Sequence, residues 1–170
     1  MDKFLISNKN YEFILSNLSF MKNFGVSKIY LRDEDLSINI LNNFLVSTKK
    51  YDIKIFINYN PKLSYFGKCG IHLKGKQLHL ANDLTNIPIS YSAHSLDDVL
   101  KAYYSGVSYI FISPIFFVEN KNKPLGIEFI KQIPLYIRNK IFALGGIDST
   151  NITELEGLGI AGVAGIRMFL

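Results

Sequence analysis

Tryptophan is absent from these 170 residues, cysteine occurs once and arginine only three times. The lone Cys69 has no partner for a disulfide within the chain, which points to a reducing compartment rather than a cross-linked extracellular scaffold. Zinc-site spacing is missing as well, because no second cysteine or carboxylate cluster accompanies Cys69, His72 and His79. No apolar run nears the ~20 residues that span a bilayer. The opening MDKFLISNKNYEF holds too short an apolar stretch for a secretory signal. A cytoplasmic location and no membrane partner are therefore expected. Neither a nucleophile elbow nor a P-loop is present.

Scarce arginine also bears on the net charge of +5. Base readout favours arginine, whereas the lysines are scattered: Lys49, Lys50 and Lys54 flank one strand, Lys74 and Lys76 sit in one loop, Lys121 and Lys123 in another. With no helix-turn-helix, zinc or RNP pattern, nucleic acid is not expected. Small phosphorylated ligands suit the same charge balance. Charged residues make up 19% of the chain against 48% hydrophobic, which excludes a disordered chain and supplies one packed core. One domain over residues 1–170 is expected.

What is there is an alternation of short apolar runs and amphipathic segments. It is clearest from Ile87 to Gly126. An apolar run, Ile87 to Tyr91, leads into Ser92-Ala93-His94-Ser95. Leu96, Val99, Leu100 and Tyr103 then recur at helical spacing, Gly106 stops that helix, and Val107 to Ile112 is the next strand. Upstream, Phe4–Ile6, Val26–Leu31, Ile53–Ile57 and Gly70–Leu73 read as strands, and downstream Ile141–Leu144 and Ile160–Ala164. A helix is predicted over Tyr11–Asn23 with Phe13, Ile14, Leu18 and Met21 inward. Another, capped by Asp35, runs through Ile38, Leu41, Phe44 and Leu45. Ile127–Arg138 contains a further helix, and Ser149 or Thr150 caps a last one over Asn151–Gly157. Lys62–Lys68 holds barely a turn or two, and Leu78–Asn86 is an irregular connection. Eight strands alternating with helices or shortened substitutes predict a compact (β/α)8 TIM barrel with short βα connections, although such barrels typically start at ~200 residues. An open doubly wound sheet is the alternative. The thin third and fourth connections would leave one flank bare, so a homo-oligomer covering it is expected.

In a barrel, chemistry gathers where the strands end. Gly145-Gly146-Ile147 and Gly165-Ile166-Arg167 follow strands seven and eight. Their backbone N–H groups can hold a phosphate, with Arg167 adding charge, or the glycines can simply make tight turns. Arg32 follows strand two and either binds an anion or pairs with Asp33, Glu34 or Asp35. Lys121 either reaches a leaving phosphate or is solvated. The Ser92 hydroxyl faces a ligand or, like Ser95, caps a helix. His94 and His72 are each either an acid/base or a histidine held by structural hydrogen bonds.

Taken together, GIHL at 70–73, SYSAHSLDDVLKA at 90–102, GVSYIFISPIF at 106–116 with its lysine-bearing loop, ALGGID at 143–148 and GIAGVAGI at 159–166 resemble, in this order, the thiamine-phosphate synthase family. The related thiazole tautomerases (TenI proteins) share that order. The resemblance covers nearly the whole chain. It implies a (β/α)8 barrel whose ligands are phosphorylated thiazoles and pyrimidines. A synthase joins hydroxymethylpyrimidine diphosphate to a thiazole phosphate and releases diphosphate. Position by position, Arg32 falls on the family's diphosphate-binding arginine and Asn58 on the asparagine after strand three. Ser92 falls on the active-site serine, Lys121 on the strand-six lysine and Gly146 on a phosphate-binding glycine. Ser92, Lys121 and His94 are thus the catalytic candidates.

The same comparison marks departures. Glu34 stands where the synthase has a second cation, Tyr59 and Gln77 stand where it has magnesium-binding aspartates, and Val118 replaces a threonine. Arg167 replaces a small serine, and Pro114 stands at the tautomerase histidine. Magnesium, where it takes part, is then expected on the substrate phosphates rather than on the protein. A tautomerase using His94 or His72, and a non-catalytic phosphate-binding paralogue, are the alternative functions.

Overall fold

The computed structural model describes residues 1–64 and 68–166. Its elements follow in the order β1 (Asp2–Ile6), α1 (Tyr11–Ser16), α2 (Leu18–Asn23), β2 (Val26–Leu31), α3 (Ile38–Lys49), β3 (Lys54–Asn58), β4 (Gly70–Leu73), β5 (Ile89–Ala93), α4 (Leu96–Tyr104), β6 (Tyr109–Ile112), α5 (Gly126–Gln132), α6 (Leu135–Arg138), β7 (Ile141–Leu144) and β8 (Gly162–Gly165). All eight strands pair in parallel with their sequence neighbours, and β8 closes on β1 through Asp2↔Gly162 to Leu5↔Gly165. The closed barrel displaces the open-sheet alternative. Short 3₁₀ segments at Gly75–Asn82 and Ile152–Leu155 take the places of longer helices.

Strand alternation sorts side chains into two cores. Leu5, Ile29, Ile55, Ile71 and Ile110 face outward and bury against the helices. Phe4, Tyr30, Phe56, Phe111 and Phe142 point inward and fill the barrel. Phe4 lies at its centre, edge-on to Phe56 at 5.0 Å, Phe111 at 4.9 Å and Phe142 at 5.5 Å between ring centroids. Such T-shaped pairs each add about 1 kcal/mol beyond burial. Room for these rings comes from glycine: a Cβ on Gly70 would sit 2.2 Å from the Phe56 ring. Below them the buried Lys28 ammonium pairs with Asp2 and lies over the Tyr109 ring. Burial works against ionising Asp2, but Lys28, Ser27 and the Lys3 N–H together outweigh it and leave the carboxyl pKa below its ordinary value.

Several local expectations are corrected. The predicted first helix breaks in two at Asn17, and Phe13 points out, 45% exposed, because Ile14 takes the inward face. Ser37, not Asp35, caps α3: its Oγ accepts from Ile40 N at 3.3 Å. Asp35 is tied back, its N–H donating to Asp33 Oδ1. Pro134 splits the helix expected over Ile127–Arg138, since the preceding Ile133 is forced out of helical backbone. Neither Ser149 nor Thr150 caps a helix; Thr150 donates to Asp148 instead, and only the 3₁₀ turn Ile152–Leu155 forms. Strands five, six and eight begin two residues later than their apolar runs. The segment expected over Lys62–Lys68 lies partly outside the described residues.

Candidate active site

The last inward residues of the strands surround a cavity of about 270 Å³ at the C-terminal end of the barrel. Tyr30 and Arg32 reach it from β2, His72 and Lys74 from β4, and Ser92 and His94 from β5. Two of these, His72 and Ser92, are polar groups that the two-residue pleat carries inward, in GIHL and ISYSA.

His72 is buried, 2% exposed. Its Nδ1 lies 2.9 Å from Ser90 Oγ and its Nε2 lies 3.0 Å from Ser92 Oγ. A neutral imidazole has one donor and one acceptor, so one serine donates to it and the other accepts. Tyr30 packs on one side of the ring at 4.4 Å and Phe111 on the other at 5.3 Å. Burial, and secondarily the Lys74 charge, lower its pKa to about 3. The histidine is therefore neutral across the physiological range, a hydrogen-bonding group rather than a proton carrier. Ser95 does the helix capping, accepting from Asp98 N at 3.1 Å, which leaves the half-buried Ser92 hydroxyl to His72 and the cavity. His94 is exposed at the rim; its backbone N–H donates to Asp98 Oδ2.

Asn58 is buried beside this group. The Tyr30 hydroxyl donates to Asn58 Oδ1, while the buried Asn58 Nδ2 has no hydrogen-bond partner among the described residues. Burial raises the Tyr30 pKa, so the phenol stays a donor. Arg32 is exposed at the lip of the cavity, and its N–H donates to Ser7 Oγ. Of the two alternatives for Arg32, pairing with Asp33, Glu34 or Asp35 is not made among the described residues. Asp33 turns away to Tyr11 and Lys9, and Glu34 pairs with Lys74 across the gap between β2 and β4. Lys74 was not singled out by the sequence, where it reads as one more loop lysine.

The loop after β7 is set by close packing. Gly145 and Gly146 have φ of +95° and +71°. A Cβ on Gly146 would stand 2.6 Å from Phe117 O, and one on Gly145 2.9 Å from Pro114. Phe116 N donates to Gly145 O at 3.0 Å, locking the β6 loop onto this turn. These glycines thus have a structural reason to be glycine. Gly165 and Ile166 are half-buried at the end of β8; Arg167 lies outside the described residues. Lys121 is exposed on the β6 loop and does not line the cavity. Among the described residues no group of three or more His, Cys, Asp or Glu is placed to hold a metal ion, and no helix is long and apolar enough to cross a membrane.

The site of a parallel barrel with polar side chains at its strand ends can be set beside known proteins. Residues 9–169 match the family model described as thiamine monophosphate synthase. A thiamine-phosphate synthase of Clostridium tetani is 30% identical over 158 residues, covering 86% of this chain and 75% of its own. One from Methanococcus maripaludis is 26% identical over 171 residues, covering 95% and 83%. In fold, the thiamine phosphate pyrophosphorylase from Pyrococcus furiosus superposes with a TM-score of 0.77 at 20% identity, over 97% of this chain and 85% of that one. With a family match over residues 9–169 and relatives covering 86% and 95% of it, the chain belongs to the thiamine monophosphate synthase family.

Proposed function

We propose that the protein is a thiamine-phosphate synthase, a transferase that joins hydroxymethylpyrimidine diphosphate to thiazole phosphate. The observation that carries this reading is the convergence of Arg32, Ser92 and His94 on one cavity at the strand ends, in a chain of this family. In the reaction the pyrimidine's methylene–oxygen bond breaks, the electron pair leaves with diphosphate, and the thiazole nitrogen bonds the methylene carbon. Charge accumulates on the leaving group, so cations and fixed donors there matter more than a strong base. Arg32 holds the diphosphate, and Ser92, oriented by His72, donates to the ligand. Asn58 offers its spare N–H₂ group beside them. Lys121, exposed on the β6 loop, is the residue assigned to the leaving phosphate. The thiazole phosphate lies at Gly145–Gly146 and at Gly165–Ile166.

Side chains at the mouth do not fit a magnesium ion held by the protein. Tyr59 and Gln77 offer no carboxylate, and Gln77 Oε1 is taken up accepting from Lys74 N at 2.9 Å. Magnesium, where the reaction uses it, arrives on the substrate phosphates. A tautomerase is the second reading, favoured by His94 at the cavity rim. His72, held neutral, is the poorer acid/base of the two.

Thiamine phosphate formed from the two substrates in magnesium is the expected result. Absence of product, with thiazole phosphate still bound, leaves a tautomerase or a binding protein.

A further inference from the structure

We infer that Lys74 is the second cation of the diphosphate site, supplying with Arg32 the charge that a protein-held metal would otherwise bring. The inference rests on the ligand class proposed above and adds a residue and a mode of binding to it.

Lys74 and Arg32 line the same 270 Å³ cavity from strands on either side of β3. The turn that presents Lys74 is fixed at both ends: its N–H donates to Gln77 Oε1, and its carbonyl accepts from Gln77 N at 2.8 Å. Its ammonium is paired with Glu34, whose side chain is 73% exposed, against 44% for Lys74. An ion pair this open to water is weak. A diphosphate carries more charge than one carboxylate and accepts from several donors at once, so it displaces Glu34 from Lys74. The positive charge of Lys74 already reaches the cavity wall, since it helps keep His72 unprotonated.

Glu34 thereby has a role that its sign alone conceals. In the empty site it neutralises Lys74; in the filled site it swings into solvent. Its neighbour Asp33 is buried and committed to Tyr11 and Lys9, so it does not compete for the two cations. Three charges decide the affinity: Arg32 and Lys74 for the anion, Glu34 against it.

Calorimetric titration of the full chain with inorganic pyrophosphate in excess chelator tests this. Binding is expected without metal, weakened about tenfold in Lys74→Gln and tightened severalfold in Glu34→Gln, as one charged hydrogen bond gained or lost dictates. Circular dichroism confirms that both variants, altered at solvent-exposed side chains, remain folded. Pyrophosphate binding that appears only with magnesium, or an unchanged affinity in Lys74→Gln, overturns the inference. Product formation is measured separately. Product from a chain indifferent to Lys74 leaves the synthase reading standing and sinks this one. Metal-free, Lys74-dependent binding without product does the reverse.

Discussion

Ser92 Oγ lies 3.0 Å from Nε2 of His72, and the same ring is held from behind by Ser90, 2.9 Å from Nδ1. The pair resembles a nucleophilic dyad in distance alone. A histidine whose pKa has fallen to about 3 is too weak a base to activate a serine, so the ring aims the hydroxyl instead.

Ser92→Ala is therefore expected to lower kcat/KM for thiamine phosphate formation about tenfold, the size of one hydrogen bond to a ligand. Ser90→Ala, which frees the ring without touching the cavity, should lose less. Steady-state kinetics on the two variants checks the order; equal losses would place both serines in the ligand contact.

His72 also makes stability depend on acidity. Its folded pKa is depressed from 6.5 to about 3, so the unfolded chain takes up a proton that the native one refuses. The stabilising contribution is complete above about pH 6.5 and is lost as pH falls toward 3. It declines by up to about 1.4 kcal/mol per pH unit. Urea midpoints between pH 4 and 7, compared with those of His72→Gln, should show a steeper fall in the parent chain.

Tyr30→Phe removes the donor to Asn58 Oδ1, leaving a second buried amide atom unpaired beside Nδ2. A loss of about 1–3 kcal/mol is expected by chemical denaturation. The double variant with Asn58→Leu should recover part of it, because both polar partners are then gone.

Gly146→Ala and Gly106→Ala both place a side chain at positive φ, but only the former drives a Cβ against backbone, at Phe117 O. Each should cost about 1 kcal/mol for the conformation. Gly146→Ala should add a further loss from displacing the β6 loop. Thermal melts separate the two; similar losses would mean that the loop yields freely.

At the opposite end of the barrel, Asp2→Ala leaves the buried Lys28 ammonium without its carboxylate and with Ser27 Oγ as acceptor, whereas Lys28→Met removes the charge. With Asp2 partly exposed, the first is expected to cost about 1–3 kcal/mol and the second less. Denaturation of the two variants gives the comparison directly.

The barrel was legible because its strands are short apolar runs separated by turn residues; β2, β4 and β7 have the limits that their sequences suggest. The inward positions of His72 and Ser92 were also readable, from the alternation in GIHL and ISYSA. Their partnership was not, since 20 residues separate them and only the parallel pairing of β4 with β5 joins them. Local hydrogen bonds decided what periodicity could not. Phe13 and Ile14 compete for one inward position, and Asp33 captures the Asp35 N–H before a helix can start there. Lys74 escaped notice because a lysine beside a turn glycine looks solvated until Glu34, 40 residues earlier, is seen against it. The glycines after β7 read either as anion binders or as tight turns, and the loop stacked on them supplies a reason for the turns without bearing on the anion.

The aromatic filling around Phe4 has a kinetic consequence. Rings buried to 2% exposure or less occupy the middle of the cylinder, and the Lys28–Asp2 pair lies beneath them, so the cavity opens at one end only. Two substrates that share one doorway cannot pass each other. In a synthase the substrate that lies deeper must arrive first, and the joined product and the diphosphate must leave by the same opening. A compulsory order of addition is therefore expected of the proposed synthase, and it would appear as one product inhibiting competitively against a single substrate.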